Sequence, residues 1–187
     1  MGRQIGERVV LREFREEDIS GMRSWMIDPE STRYLGGNTK VPPTYEMTEA
    51  TLHRYLQGDA GGINWVIAEK QSLRYLGQVS LIMVDNLNRR AELTVVMAPD
   101  QAGKGYGQEG VHLAVQFAFR SMNLHRVYLK VAADNVRAVH CYEKCGFQIE
   151  GRLKDDLFVD GQYVDVLCMA LVNPAGPGAT CCASCCR

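Results

Sequence analysis

A chain of 187 residues, 46% hydrophobic and 23% charged, carries enough apolar material for one full core in a single domain. Its 21 basic and 22 acidic side chains leave a formal net charge of −1, which gives no sign of a nucleic-acid binder. No apolar run approaches the length of a membrane span, and the charged start Met1–Arg8 lacks a signal peptide's apolar centre, so a cytoplasmic protein is expected.

Arg8–Phe14 alternates as a first strand, and Glu16-Glu17-Asp18 places acid at the start of a helix over Ile19–Ile27. The segment 28–43 reads as loop, broken by Gly36-Gly37 and Pro42-Pro43. Thr44 is placed to cap a second helix running to Gln57. Three strands follow at Asn64–Glu69, Leu76–Val84 and Ala91–Met97, joined by short turns as an antiparallel meander. Beyond them come a helix over Tyr106–Met122, a strand at Arg126–Val131 and a helix over Asn135–Lys144 closed by Gly146. The last strands are Phe147–Arg152 and Tyr163–Leu171, the second entered through the turn dipeptide Asp160-Gly161. These elements make an α/β fold that combines meanders with crossover helices.

The most informative stretch is Gln101-Ala-Gly-Lys-Gly-Tyr-Gly-Gln-Glu-Gly110, set between a strand and a helix. Glycines at 103, 105 and 107 let backbone approach a ligand closely. The free N–H groups of such a turn and of the first helical turn bind phosphate oxygens. A P-loop is excluded, because no glycine is followed by Lys-Ser or Lys-Thr. Gly105-x-Gly107-x-x-Gly110 fits the dinucleotide fingerprint, with Asp134 at about the expected distance. Against that reading, half the chain precedes the motif and Pro99–Ala102 separates it from its strand.

Ala102-Gly-Lys-Gly-Tyr-Gly107 resembles the acetyl-CoA loop of the GNAT acetyltransferase superfamily, Gln/Arg-x-x-Gly-x-Gly/Ala. Asn135-Val-Arg-Ala-Val-His-Cys-Tyr-Glu-Lys-Cys-Gly-Phe147 resembles its Asn-x-x-Ala-x-x-x-Tyr-x-x-x-Gly-Phe segment. The likeness runs over residues 8–172 and lies nearest the branch of ribosomal-protein N-terminal and spermidine acetyltransferases. One position departs: Ala102 stands where the pattern has Gln or Arg, with Gln101 one place early, so the loop relies on backbone contacts or Gln101 shifts to help. The resemblance implies a mixed sheet of six or seven strands, splayed near the fourth and fifth, with helices on both faces. It also implies acetyl-CoA as cosubstrate and transfer of the acetyl group to a primary amine by direct attack. Acceptors in order are a protein N-terminal amine, a polyamine and an aminoglycoside; a CoA-binding module without turnover is the alternative from another class. A homodimer comes by analogy alone.

The expected coenzyme contacts are backbone groups of Val95, Val96 and Met97, the turn Gln101, Ala102, Gly103, Lys104, Gly105, Tyr106 and Gly107, and Asn135, which also suits a helix cap. An alkyl amine is neutral in only about one molecule in a thousand at pH 7, so transfer needs a route for its proton. Glu92 is the candidate base, with a water relay as the other route; Glu92 also reads as a strand-end acid paired with Arg89 or Arg90. Spacing alone makes Tyr142 a core tyrosine, whereas the resemblance puts its hydroxyl beside the thioester sulfur as the acid.

The acceptor is expected among the first two helices, the 28–43 loop and the 155–163 hairpin. Acids at Asp28, Glu30, Glu46, Glu49, Asp155, Asp156 and Asp160 suit a cation, and Trp25, Tyr34 and Tyr45 suit a cleft or a core. The four histidines show no metal spacing and read as helix-surface residues, and no metal is expected. Cys141, Cys145 and Cys168 read as small buried hydrophobes, and residues 173–187, with four closing cysteines, as a disordered tail.

Overall fold

The computed structural model describes residues 3–35, 41–58 and 60–174. Its strands are β1 (Gln4–Ile5), β2 (Val9–Arg12), β3 (Ile63–Glu69), β4 (Tyr75–Asp85), β5 (Arg90–Met97), β6 (Arg126–Ala132), β7 (Gln148–Val159) and β8 (Gln162–Val172). Its helices are α1 (Ile19–Met26), α2 (Pro29–Thr32), α3 (Tyr45–Gln57), α4 (Tyr106–Arg120) and α5 (Val136–Lys144). The strands form one sheet in the order β1-β2-β3-β4-β5-β6-β8-β7. The eighth strand, beyond the expected seven, is the two-residue β1, too short to leave a periodic signal.

Each of β2 and β3 is covered on both faces, and strand alternation sorts their side chains between two cores. Val9, Leu11, Trp65 and Ile67 pack with Val111, Ala114, Val115 and Ala118 of α4. Val10, Val66 and Ala68 pack with Met22, Trp25 and Leu52 on the opposite face, under α1 and α3. Each fully buried aliphatic or aromatic side chain contributes about 1.5–3 kcal/mol to that packing. Gly110 sets how closely α4 lies on the sheet: a Cβ there would stand 2.6 Å from Ile67 Cδ1.

Local capping chemistry sets the ends. Thr44 accepts the Met47 N–H at 3.3 Å to start α3, and Gly58, at φ +78, ends it. Asp160 and Gly161 both take positive φ, the geometry of a tight hairpin turn between β7 and β8. Two readings are corrected. The 28–35 stretch holds the short helix α2, where Asp28 accepts the Ser31 N–H at 2.8 Å ahead of Pro29. β7 runs on to Val159, so Asp155 and Asp156 belong to a strand; two register shifts hide its alternation. Asp18 lies at the helix start as expected and is buried there: Arg12, itself buried, donates to both of its oxygens, at 2.8 and 2.7 Å.

The splay is visible in the pairing. β5 and β6 run parallel, but their register holds only for Arg90↔Arg126, Ala91↔Val127 and Glu92↔Tyr128. Beyond Glu92, β5 stays on β4 as far as Met97, while β6 stays on β8 to Ala132. The sheet therefore opens into a wedge. Near the end of the described chain Asn173 is buried, and its N–H donates to the His125 carbonyl at 2.8 Å. The expected tail from 175 onward, with its four cysteines, lies outside the described residues.

Candidate active site

The wedge holds a cleft of about 1020 Å³, bordered by Glu92–Met97 of β5, Lys130–Ala132 of β6, the turn before α4 and the start of α5. From Leu93 onward, β5 has no partner strand on this side, so its outward backbone groups are free to pair with a ligand's amides.

At the far end of β5 the chain turns through Pro99–Gln101 and enters α4. Gly103 and Gly105 sit at φ +83 and +84, a left-handed conformation that other residues adopt only under strain. Gly105 is the N-cap of α4, and the first intrahelical bond runs from the Glu109 N–H to its carbonyl at 3.2 Å. The N–H groups of Tyr106, Gly107 and Gln108 therefore have no carbonyl within the helix. A helix N-terminus with these donors suits phosphate, and the glycines leave the space that Cβ atoms would take.

The turn is held from a distance. Arg8 donates from Nη1 to the Lys104 carbonyl at 3.1 Å, and its guanidinium lies over the Tyr106 ring, 5.0 Å from the centroid. Glu109 accepts the Arg8 and Val9 N–H groups at 2.8 and 3.2 Å, which ties α4 to the start of β2. Gln101 borders the cleft, but its side chain is buried and bonded to Asp100 and to the Lys104 ammonium. Its side chain is thus engaged within the turn itself. Lys104 and Tyr106 do not border the cleft, because Gln101 and Arg8 engage their side chains.

Glu92, Val95, Val96, Met97, Ala102, Gly103, Gly105, Gly107, Asn135 and Tyr142 all border this one cleft. Asn135 accepts the Ala138 N–H at 3.2 Å, so it caps α5 and keeps its amide N–H groups as donors. Tyr142 is 8% exposed, its ring tilted against Phe147 with centroids 5.9 Å apart. Burial, then the nearby Cys141 and Cys145, push its hydroxyl pKa above the ordinary value, so it is a neutral donor at pH 7. Neither arginine expected as a partner of Glu92 takes that role. Arg89 donates to Asn123, and Arg90 to Asp85. Glu92 shares its strand face with Thr94 and Val96, the last of which packs with the α1–α3 core.

Residues 8–148 match the acetyltransferase (GNAT) domain family. The chain belongs to the GNAT acetyltransferase family. Acetyl-CoA is the acyl donor this family uses, and the turn, the unpaired β5 edge and Asn135 fit such a ligand. Spermidine N(1)-acetyltransferase of Vibrio cholerae is 38% identical over 107 residues, 57% of this chain and 62% of that protein. The Escherichia coli K12 enzyme of the same name is 36% identical over 95 residues, 51% of each chain. The matched stretch thus spans less than two thirds of either relative's length. The crystal structure of spermidine N-acetyltransferase from Vibrio cholerae in complex with CoA and spermine superposes with a TM-score of 0.79. The two share 28% identity over 89% of this chain and 96% of that one.

Within this GNAT domain the expected acceptor residues divide. Asp28, Glu30, Asp156 and Tyr34 border the cleft. Glu46, Glu49 and Asp155 do not, and Asp160 pairs with Arg33, 3.0 Å away. Trp25 is core, donating from Nε1 to the Tyr75 hydroxyl at 3.0 Å, and Tyr45 lies exposed beside Arg23. Tyr34 hydrogen-bonds Asp134, just ahead of α5; burial and then the Asp134 charge raise its pKa. That bond ties the segment after α2 to the start of α5, and no sequence spacing announces it. His140 borders the cleft as well as lying exposed on α5. Among the described residues, no helix is long and apolar enough to cross a membrane.

Proposed function

We propose that the chain is an acetyl-CoA-dependent N-acetyltransferase whose acceptor is a primary amine of a linear polyamine. The observation that carries the reading is one cleft joining an amide-rich turn, a neutral buried phenol and a carboxylate whose neighbours Arg89 and Arg90 bond elsewhere.

Acetyl-CoA supplies an activated acyl group when bound. The N–H groups of residues 103–108 hold its pyrophosphate, and the open edge of β5 from Val95 to Met97 pairs with the pantetheine amides. Asn135 donates to the same arm from its free amide N–H. Glu92, at the point of the wedge, takes the proton of the incoming ammonium directly or through water. Tyr142 donates its hydroxyl proton to the departing sulfur. Its raised pKa keeps that proton in place until transfer.

The polyamine reading rests on charge and kinship. Alkyl amines are protonated at neutral pH, so a polyamine is a multiple cation. Glu92, Asp28, Glu30 and Asp156 border the cleft and favour its entry. The names of the relatives point the same way. A protein N-terminus carries one amine charge and gains less from four carboxylates.

Release of free thiol from acetyl-CoA tests the reading against spermidine, spermine, an N-terminal peptide and an aminoglycoside. Polyamines are expected to show kcat/KM at least about tenfold above the others. A peptide equal to spermidine would overturn the acceptor assignment. No thiol release with any of these amines would leave a CoA-binding module.

A further inference from the structure

Two thiols stand at the cleft that the transfer reaction does not use. Cys141 and Cys145 lie at i and i+4 of α5 and its C-cap, so they are neighbours on one side of the helix. Cys141 borders the cleft, and Cys145 sits behind it, its Sγ donating to the Gln108 carbonyl at 3.6 Å. Gln108 belongs to the first turn of α4, so the pair fills the seam where α5 meets the proposed phosphate site. Both thiols are free and half-buried, and the one Cys145 S–H is shared between the Gln108 carbonyl and the Cys141 sulfur.

The two are unequal. The Cys145 hydrogen bond, together with Arg137 and Lys144 and against the effect of burial, lowers the Cys141 pKa to about 7. Giving that bond, and then burial, push Cys145 well above its ordinary value. An accessible thiolate backed by a recessed thiol is the arrangement of an attacking and a resolving cysteine.

We propose that Cys141 and Cys145 form a modification site for hydroperoxides, closing to a disulfide within α5 that shuts the acetyl-CoA cleft. The inference rests on the cleft being the acetyl-CoA site. The Cys141 thiolate attacks a peroxide oxygen, the O–O bond breaks, and sulfenic acid and water form. Cys145 loses its proton and attacks the Cys141 sulfur, the S–O bond breaks, and a second water leaves. Two thiols and one hydrogen peroxide thus give one disulfide and two waters, with sulfur oxidised and peroxide reduced. Four residues of helix rise about 6 Å, within the Cα separation a disulfide spans. Cβ atoms at that spacing stand about 5–6 Å apart against the roughly 4 Å of a disulfide, so the bond closes only as the last turn of α5, where Cys145 is the C-cap, unwinds. Drawing Cys145 toward Cys141 takes it off the Gln108 carbonyl and moves the α5 wall formed by Ala138 and Tyr142.

The test treats the full chain with hydrogen peroxide and digests it with trypsin without reductant. Peptides 138–144 and 145–152 are expected to run joined, mapped apart from any bond to Cys168 or to Cys181, Cys182, Cys185 and Cys186. Acetyl-CoA affinity is expected to fall roughly tenfold or more and to return with dithiothreitol. In Cys145→Ser the resolving step is lost, and dimedone should label Cys141. Joined peptides with unchanged affinity, or oxidation of the other cysteines while 138–144 stays free, would overturn the proposal. Failure of the untreated protein to bind acetyl-CoA would defeat the functional reading instead, whether or not the peptides join.

Discussion

Glu92 and Tyr128 are the last register partners of the parallel β5–β6 pair. One residue later each strand keeps only its outer neighbour, and the cleft begins. Glu92 therefore sits at the point of the wedge, the place the proposed function gives to the incoming amine. Both arginines beside it in sequence are committed to other partners, which leaves its carboxylate available for proton transfer.

Glu92→Gln keeps the shape and removes the base. Turnover with spermidine is expected to fall about 100-fold while acetyl-CoA affinity holds. Steady-state kinetics and calorimetric binding separate the two. A fall in kcat/KM of less than about twofold would assign the proton to water alone.

Tyr142→Phe leaves the ring against Phe147 and deletes only the donor. Turnover is expected to drop about 100-fold with the acetyl-CoA Kd within about twofold. The raised pKa has a pH consequence. Because the neutral form persists above pH 10 in the fold, the wild-type rate should not decline between pH 8 and 10 through loss of this proton. A rate that falls with the ordinary phenol pKa would place the hydroxyl in water.

Gly105→Val tests the turn. At φ +84 a side chain costs about 1–3 kcal/mol of backbone strain, and its Cβ would also stand 3.1 Å from Arg8 Nη2. Acetyl-CoA affinity is expected to weaken roughly tenfold or more. Gly58→Val is the control: φ is +78 there, nothing lies within 4 Å, and the position is remote from the cleft, so only stability should change. Equal losses of affinity in both variants would refer the effect to general destabilisation.

Much of this site is legible in the chain because its signals are local. The glycine spacing at 103, 105 and 107, the capping Asn135 and the αL glycine at 146 each act within a few residues. The meander of β3, β4 and β5 follows from alternation and short turns. Long-range contacts leave no such trace. Arg8 and Glu109 meet across 101 positions, and Tyr34 reaches Asp134 from the other side of the cleft. β7 and β8 are longer than their periodicity suggests, because shifts at Ile149/Gly151 and Leu153/Leu157 reset which side chains share a face. The buried Arg12–Asp18 pair looks in sequence like any charged helix start.

Alkaline stability gives a test independent of catalysis. Burial raises the pKa of both Tyr75 and Tyr142 above 10, so the folded chain holds two protons that the unfolded chain releases near pH 10. With more protons bound to the fold, stability falls as pH rises above about 10 and is complete below it. Each tyrosine adds a slope of up to about 1.4 kcal/mol per pH unit in that window. Tyr75→Phe and Tyr142→Phe should each remove one such slope, whatever constant offset Tyr75→Phe adds by losing the hydrogen bond to Trp25. Urea denaturation from pH 8 to 11, comparing each variant with the parent, measures the difference. Parallel curves for parent and Tyr142→Phe would mean that its hydroxyl titrates freely in the fold, and would overturn its burial as the cause of a raised pKa.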